Sequence, residues 1–549
     1  MKSQMDEDQK ARLKAIEPDK SFIVKAPAGS GKTGLLVKRY LRLLSLAESP
    51  EEIVAITFTR KASTEMRNQI QDALESALTK KKPKNEYEED RIKFATDVLK
   101  QDKKKKWHLL DSPDRLRIQT IDGLSTFLTQ RMPILAKFGA QPDVTEDAKY
   151  LYKLATTETF NLFNEDKEFL HSINEIILHF GNNIPRIKNS ITKMLQTRDL
   201  WLRPVSTKYS QDKMKQDLVQ LIESDLEMVA TIFPLECKQE LVKLLRYAAK
   251  NINGPATKIS SISVFPDCGV DNLAYWYGVS TLLLTQSGTW RKQFTKREGF
   301  PVSGKTEKAK AKSLIEKLEK IDLLEKRLQK INDLPSVDSL EIGWELIELA
   351  KKLLKTTAAQ LEIIFSEHNL VDFTGVSQHA VNALGEDNCP TNLALTLDYQ
   401  IKHLLVDEVQ DVSESQYRLL HCLTREWSVG DGRTLFLVGD PQQAIYRFRG
   451  AEVRFFLKIF KDGSLGNIPL EPLKISKNFR ASSDLVNWVN GKFAKIFPEE
   501  NLIEGAVPFI DSIPTRLESR TCISHYSVGG NKEEAKKITE IIKEIKRIK

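Results

Sequence analysis

Between a short apolar run, Phe22-Ile23-Val24, and a helix-forming stretch lies the segment Ala26-Pro27-Ala28-Gly29-Ser30-Gly31-Lys32-Thr33. Small residues there let the backbone turn tightly enough to aim successive amides at one point, and the helix behind adds the partial positive charge of its N-terminus. Strand, loop and helix together make an anion cradle, which would bring Lys32 to the β and γ phosphates of a nucleotide and the Thr33 hydroxyl to magnesium. The general pattern opens with glycine where Ala26 stands, and a glycine-rich turn without a ligand fits the same residues. The flanking strand and helix favour the cradle.

Such a cradle needs an acidic counterpart at the end of a buried strand, and Leu404-Leu405-Val406-Asp407-Glu408-Val409-Gln410-Asp411 supplies one. Asp407 would complete a magnesium shell and Glu408 would polarise an attacking water; an acidic strand end that caps the next helix is the competing reading. Further strands are expected at Val54–Phe58, Ile118–Ile121 and Thr434–Val438, and strands alternating with helices imply a parallel sheet covered on both faces. They fall before about residue 125 and after about residue 400. Between them the chain is rich in Lys, Glu, Leu and Ala, with amphipathic stretches at Lys308–Ile331 and Gly343–Ile363. We therefore expect one α/β domain in two parts, 1–126 and 397–470, interrupted by a helical insertion, 127–396, and followed by part of a second domain, 471–549.

At 549 residues the chain can hold several cores. Its 41% hydrophobic and 29% charged residues describe a folded protein rather than a disordered or membrane one. The polar N-terminus MKSQMDEDQK and the lack of a long apolar run point to the cytoplasm and to no membrane. Cys237, Cys268, Cys389, Cys422 and Cys522 are too scattered for a disulfide framework or a CxxC metal site. The +8 net charge is unevenly spread, with clusters at Lys80, Lys81, Lys82 and Lys84 and at Lys103–Lys106, where a solvated helical face or loop is expected before phosphate contact.

Cradle and acidic pair alone leave kinases, transporters and motors open. Asp407–Asp411, DEVQD, resembles the DExQD box of the UvrD/Rep/RecB superfamily-one DNA helicases, and Gly439-Asp440-Pro441-Gln442-Gln443-Ala444-Ile445-Tyr446-Arg447-Phe448-Arg449-Gly450-Ala451 resembles their GDxxQSIYxFRGA segment. Thr57–Met66 is similar to TFTxKAAxEM, Asn478-Phe479-Arg480 to the motif that opens the second RecA-like domain, and Gln9 stands where the family carries an adenine-reading glutamine. Leu284-Thr285, Trp290-Arg291-Lys292, Gly299-Phe300-Pro301 and Leu397-Asp398-Tyr399-Gln400 resemble stretches of RecB/AddA-type helicase-nuclease subunits.

The resemblance implies a RecA-like fold, ATP and magnesium as cofactors, and single-stranded or tailed duplex DNA as substrate. Translocation would run 3′ to 5′, in double-strand break repair or recombination, and the partner would be a second helicase-nuclease subunit. It implies that Ala26–Thr33 bind phosphate, that Thr33 and Asp407 hold the metal, that Glu408 is the base, that Gln443 senses the γ phosphate and that Arg480 reaches it from across the cleft. Gln9 would read adenine and Phe479 would stack on it. Phe58, Tyr446, Phe448 and Arg449 would contact DNA; a core position is the lesser, competing reading for Phe58 in its apolar strand, and weaker still for Phe448 between two arginines. Two departures stand out. Asp122 occupies a position where many relatives have histidine, so a loop-holding role is expected rather than phosphate contact. The chain also stops soon after Asn478-Phe479-Arg480, before the last family motifs, so the alternative expectation is a truncated protein that binds ATP and single strands without unwinding.

Overall fold

The structure is a computed structural model that describes every residue except 1, 84, 133–141, 166, 207–210, 252–263, 322, 333, 335–336, 387–388, 448–449, 499–504, 517–525 and 549. Its centre is a sheet of β1 (Phe22–Lys25), β2 (Ile53–Thr57), β3 (Arg117–Thr120), β4 (His403–Val406), β5 (Thr434–Gly439) and β6 (Glu471–Lys474). The order is β6-β1-β5-β4-β2-β3, and every neighbouring pair is parallel. The mixed α/β fold with a parallel sheet is the one expected. Strand β6 was not expected, because Glu471, Pro472 and Lys474 break the apolar pattern. As an edge strand it tolerates a proline that has no N–H to donate.

Successive residues alternate between two cores, as a sheet buried on both faces requires. Phe22, Val24, Leu405, Phe436 and Val438 pack with Leu36, Tyr40 and Leu41 of α2 (Lys32–Leu44) and with Met66, Ile70 and Leu74 of the helix Arg60–Leu78. Ile23, Val54, Ile56, Leu404, Val406 and Leu437 pack on the other face with Leu124 and Leu128, Leu420 and Leu423, and Phe456 and Ile459. These come from the helices Ile121–Arg131, Glu414–Thr424 and Val453–Asp462.

A fully buried arginine joins the first helix to this sheet. Arg39 of α2 donates to the carbonyls of Ala15 (2.7 Å), Glu17 (2.9 Å) and Lys20 (2.6 Å), which close α1 (Lys2–Ala15) and lead into β1. Its guanidinium also lies 5.3 Å and 4.7 Å from the ring centroids of Phe22 and Phe436.

The chain divides into two compact units, one of residues 1–150, 196–200 and 365–549 and the other of 151–195 and 201–364. The second is helical among its described residues. The stretch 308–331 forms two helices, Lys305–Leu318 and Leu324–Asn332, parted at Leu323, whose φ of 67° is left-handed; 343–363 lies inside Val337–His368. Trp276, Phe300, Leu241 and Leu314 meet in its core. The residues from Leu284 to Pro301 serve that core: Arg291 donates to the carbonyls of Thr281, Leu282 and Leu284 and to Glu298. Gly299 has φ 83° and approaches Ala248 so closely that an added Cβ would stand 2.2 Å from the Ala248 carbonyl oxygen.

After β6 the chain begins a separate parallel pair, β7 (Lys477–Ser482) and β8 (Ile513–Arg516), with the helix Ser483–Phe493 between them. Lys103, Lys104 and Lys105 form the last turn of the helix Glu86–Lys105, where cations complement the helix dipole. No helix among the described residues is long and apolar enough to cross a membrane.

Candidate functional site

The carboxyl ends of β1, β5 and β4 lie side by side, so three sequence-distant segments meet at the crevice where open α/β sheets hold ligands. The loop after β1 starts with Ala26 donating to the Gly439 carbonyl at 2.9 Å. Gly29 (φ 77°) and Gly31 (φ 79°) take left-handed conformations that L side chains rarely adopt. Gly29 is also crowded: a Cβ would stand 2.7 Å from Asn478 Oδ1. Pro27 O accepts from the Ser30 N–H at 3.1 Å, while the buried Ser30 hydroxyl has no protein partner. Lys32 and Thr33 open α2 with N–H groups that a helix cannot satisfy internally. This geometry can bind an anion.

Lys32 Nζ donates to Glu408 Oε2 at 2.8 Å and Oε1 at 3.1 Å. Glu408 adopts φ 53° and ψ 45°, a left-handed backbone that costs a non-glycine residue about 1–2 kcal/mol. Such strain at the end of β4 aims the carboxylate across the crevice rather than along the strand. Gln410 then links the strands: its amide donates to Glu408 Oε2 (2.8 Å) and Asp411 Oδ2 (3.1 Å), and its oxygen accepts the Asp440 N–H (2.9 Å). Asp440 accepts in turn from the Gln443 side chain and the Gln442 N–H. A continuous polar path thus runs from Lys32 to Gln443.

Burial, with the Glu408 charge beside it, raises Asp407 to about 7 against the pull of Lys32, and burial with Glu408 raises Asp411 to about 6. The Asp407 carboxylate is short of positive charge, which suits a divalent ion. Its folded pKa stands above the ordinary 3.8, so the protonated fold is favoured. That stabilisation is whole below about pH 4 and is lost as pH rises through about 7. Asp407→Asn removes the loss. With EDTA present its Tm should match the wild type at pH 4 and exceed it by about 3–6 °C at pH 7.5, as read by thermal unfolding at both pH values; a variant less stable at pH 7.5 would contradict the burial argument.

Gln9 is exposed on α1, whereas its neighbours Asp8 and Arg12 are engaged. Arg12 Nε donates to Asp8 Oδ2 at 2.7 Å, and Asp8 Oδ1 accepts the N–H groups of Ser476 (2.6 Å) and Lys477 (3.0 Å). Burial pushes the Asp8 carboxyl up, but Arg12 and the two amides outweigh it and hold the group below its usual range. Phe479 is exposed; its N–H donates to Gly29 O at 2.8 Å, and Asn478 Nδ2 donates to Ala28 O at 3.0 Å. Arg480 is exposed on the same strand, its N–H held by Asn478 Oδ1 at 2.9 Å. Sequence reasoning missed Asp8, Arg12 and Gln410; the i, i+4 spacing of Asp8 and Arg12 was the available signal.

Strand β2 ends at Thr57, one residue before the expected end, so Phe58 is half-buried on the turn rather than in the strand core. It meets Tyr446 with ring centroids 4.7 Å apart and planes 40° from parallel. Phe448 and Arg449 lie outside the described residues. Asp122 accepts from Gln416 Nε2 at 3.1 Å, tying one helix start to another.

The site is thus a strand–loop–helix cradle facing a strained acidic strand end, the arrangement of P-loop nucleotide-binding proteins. The sequence signature of the UvrD/REP helicase N-terminal domain matches residues 5–463, and the chain belongs to that family. It is similar to bacterial proteins named as ATP-dependent helicase/nuclease subunits. That of Oceanobacillus iheyensis is 25% identical over 518 residues, 87% of this chain and 38% of that protein. That of Staphylococcus epidermidis is 25% identical over 570 residues, 95% of this chain and 43% of that protein, and that of Clostridium acetobutylicum is 24% identical over 521 residues, 87% and 38%. The chain spans about two fifths of the length of these relatives.

Proposed function

We propose that this chain is the nucleotide-driven motor part of a DNA helicase, hydrolysing ATP to move along single-stranded DNA in the 3′ to 5′ direction during double-strand break repair or recombination. The observation that carries this reading is the polar path from Lys32 through Glu408 and Gln410 to Asp440 and Gln443. It joins a phosphate cradle to the segment that bears Tyr446, and Tyr446 meets Phe58. A change at the γ phosphate therefore has a route to an aromatic pair suited to stacking on bases.

In this reading the amides of Ala26–Gly31 and the Lys32 ammonium hold the phosphates. Thr33 and Asp407 would hold magnesium, which neutralises charge on the phosphates. Glu408 takes the proton of the attacking water, Gln443 registers the γ phosphate, and Arg480 adds positive charge as β7 approaches the loop. Gln9 and Phe479 serve the base, and Phe58 and Tyr446, with Phe448 and Arg449, serve the DNA. The relatives are named as subunits of a helicase/nuclease, which supports a second such polypeptide as partner; the setting would be the cytoplasm.

Phosphate release with magnesium, measured with and without single-stranded DNA, tests the reading. The wild-type rate should rise with DNA, fall to background in Lys32→Ala, and leave the variant's Tm within about 2 °C. Release that persists in the variant, or that ignores DNA, refutes the motor. Matched RNA oligonucleotides that stimulate equally would make it an RNA motor instead, and strand separation on 3′-tailed against 5′-tailed duplexes checks the polarity.

A further inference from the structure

Tyr446 and Phe58 meet although their strands are not neighbours. The Tyr446 segment follows β5 and Phe58 follows β2, and β4 lies between those two strands in the sheet. The ring centroids are nevertheless 4.7 Å apart, so the Tyr446 segment has to be held across the end of β4.

A chain of hydrogen bonds supplies that hold, and it starts on the far side of β2. Thr120 ends β3 in register with Thr57, and Asp122 follows in the first turn of the helix Ile121–Arg131, where the positive end of the helix steadies a carboxylate. Asp122 Oδ1 accepts from Gln416 Nε2 at 3.1 Å, and Gln416 Oε1 accepts the Ser413 N–H at 3.1 Å. Ser413 forms an antiparallel bridge with Ala451, beside the Glu452 N–H, which donates to Val412 O at 3.0 Å. The Ala451 N–H donates in turn to Tyr446 O at 3.3 Å. Asp122 comes after β3, Gln416 and Ser413 after β4, and Ala451 and Tyr446 after β5, so the bonds strap together three segments at the carboxyl edge of the sheet.

We propose that Asp122 is a positioning residue for the aromatic pair: through Gln416 and Ser413 it holds the turn that carries Tyr446 against Phe58. Gln416 is only 8% exposed, so water does not readily replace the carboxylate, and a buried donor left without an acceptor swings its side chain elsewhere. That swing releases Ser413 as well, because one amide group serves both bonds. Asp122 thus works as an acceptor and not as a charge facing nucleic acid. The use of the strap in gripping single strands rests on the DNA reading above; its hold on Tyr446 does not.

Amide hydrogen exchange on the 549-residue chain reads the strap, and fluorescence anisotropy with labelled oligo-dT reads the grip. Asp122→Ala should speed exchange at Ser413, Ala451 and Glu452 by about tenfold, leave β1 and β5 unchanged, and weaken oligo-dT by about fivefold or more. Gln416→Glu sets two carboxylates face to face and should cost the same. Adding Asp122→Asn to it restores a donor and an acceptor with their direction reversed, and should return both readouts to within about twofold of the wild type. These two variants decide the matter if Asp122→Ala does not fold. Unchanged exchange in Asp122→Ala, or a double variant no better than Gln416→Glu, overturns the strap. So does an Asp122→Asn variant that binds oligo-dT more tightly with a steeper salt dependence, the mark of a charge that faces phosphate. If the wild type does not bind oligo-dT, or Asp122→Ala binds it equally well, while the exchange results hold, the strap stands and the DNA reading of the Tyr446–Phe58 pair fails instead.

Discussion

Glu408→Gln should lower the rate of ATP hydrolysis by about 10²–10⁴-fold while tightening nucleotide binding. The amide keeps the shape and loses the proton acceptor. Tighter binding follows from the Lys32–Glu408 pair at 2.8 Å: a triphosphate has to draw Lys32 away from a carboxylate, and the variant offers no such competitor. Gln410 Nε2 keeps an oxygen to donate to, so the path to Asp440 can persist. The measurement is single-turnover hydrolysis with single-stranded DNA beside an ATP binding isotherm. A variant that hydrolyses ATP at the wild-type rate would remove Glu408 from the reaction, and one that binds ATP more weakly would remove the competition.

Arg39→Met should destabilise the unit containing the sheet by about 3–5 kcal/mol. Methionine approximates the stem, but it takes a donor from each of three carbonyls, those of Ala15, which is buried, and of Glu17 and Lys20, which are partly so. It also removes the cation between Phe22 and Phe436. Burial alone draws the guanidinium below its usual range, since only the charges of Asp19 and Glu17 offset it; its value lies in the bonds it completes. Thermal unfolding is the readout: a fall in Tm of about 10 °C is expected, and a shift under about 2 °C would show that the carbonyls find water.

Much of this architecture is legible where one physical rule dominates. Buried parallel strands show as β-branched runs, and β1 to β5 lie at those runs within a residue or two. Strand β6 is hidden because its position at the edge relaxes the rule that made the others visible. In the site, the cradle and acidic box are short local patterns, and their meeting at 2.8 Å between residues 376 apart follows from the sheet order. Phe58 was ambiguous because a strand end decides whether a ring is core or groove, and strand ends are where periodicity says least. In the sequence Gln410 is one letter of the acidic box, although its amide, with one acceptor and two donors, is what spans β4 and β5. Asp8 and Arg12 act through the backbone of Ser476 and the ring of Phe479, which no local window contains.

The sheet order also sets a timetable for synthesis. Strand β1 takes both its neighbours, β5 and β6, from residues 434–439 and 471–474, and β2 takes one of its own from 403–406. At about 5–20 residues per second, the ribosome needs roughly 15–60 s to travel from β3 to β4. Throughout that interval the first three strands have emerged with apolar edges and no central partner, while the helical unit that follows β3 is being made. Nascent chains should therefore be most prone to aggregate, and most dependent on chaperones, when translation has passed the helical unit but not yet reached residue 434.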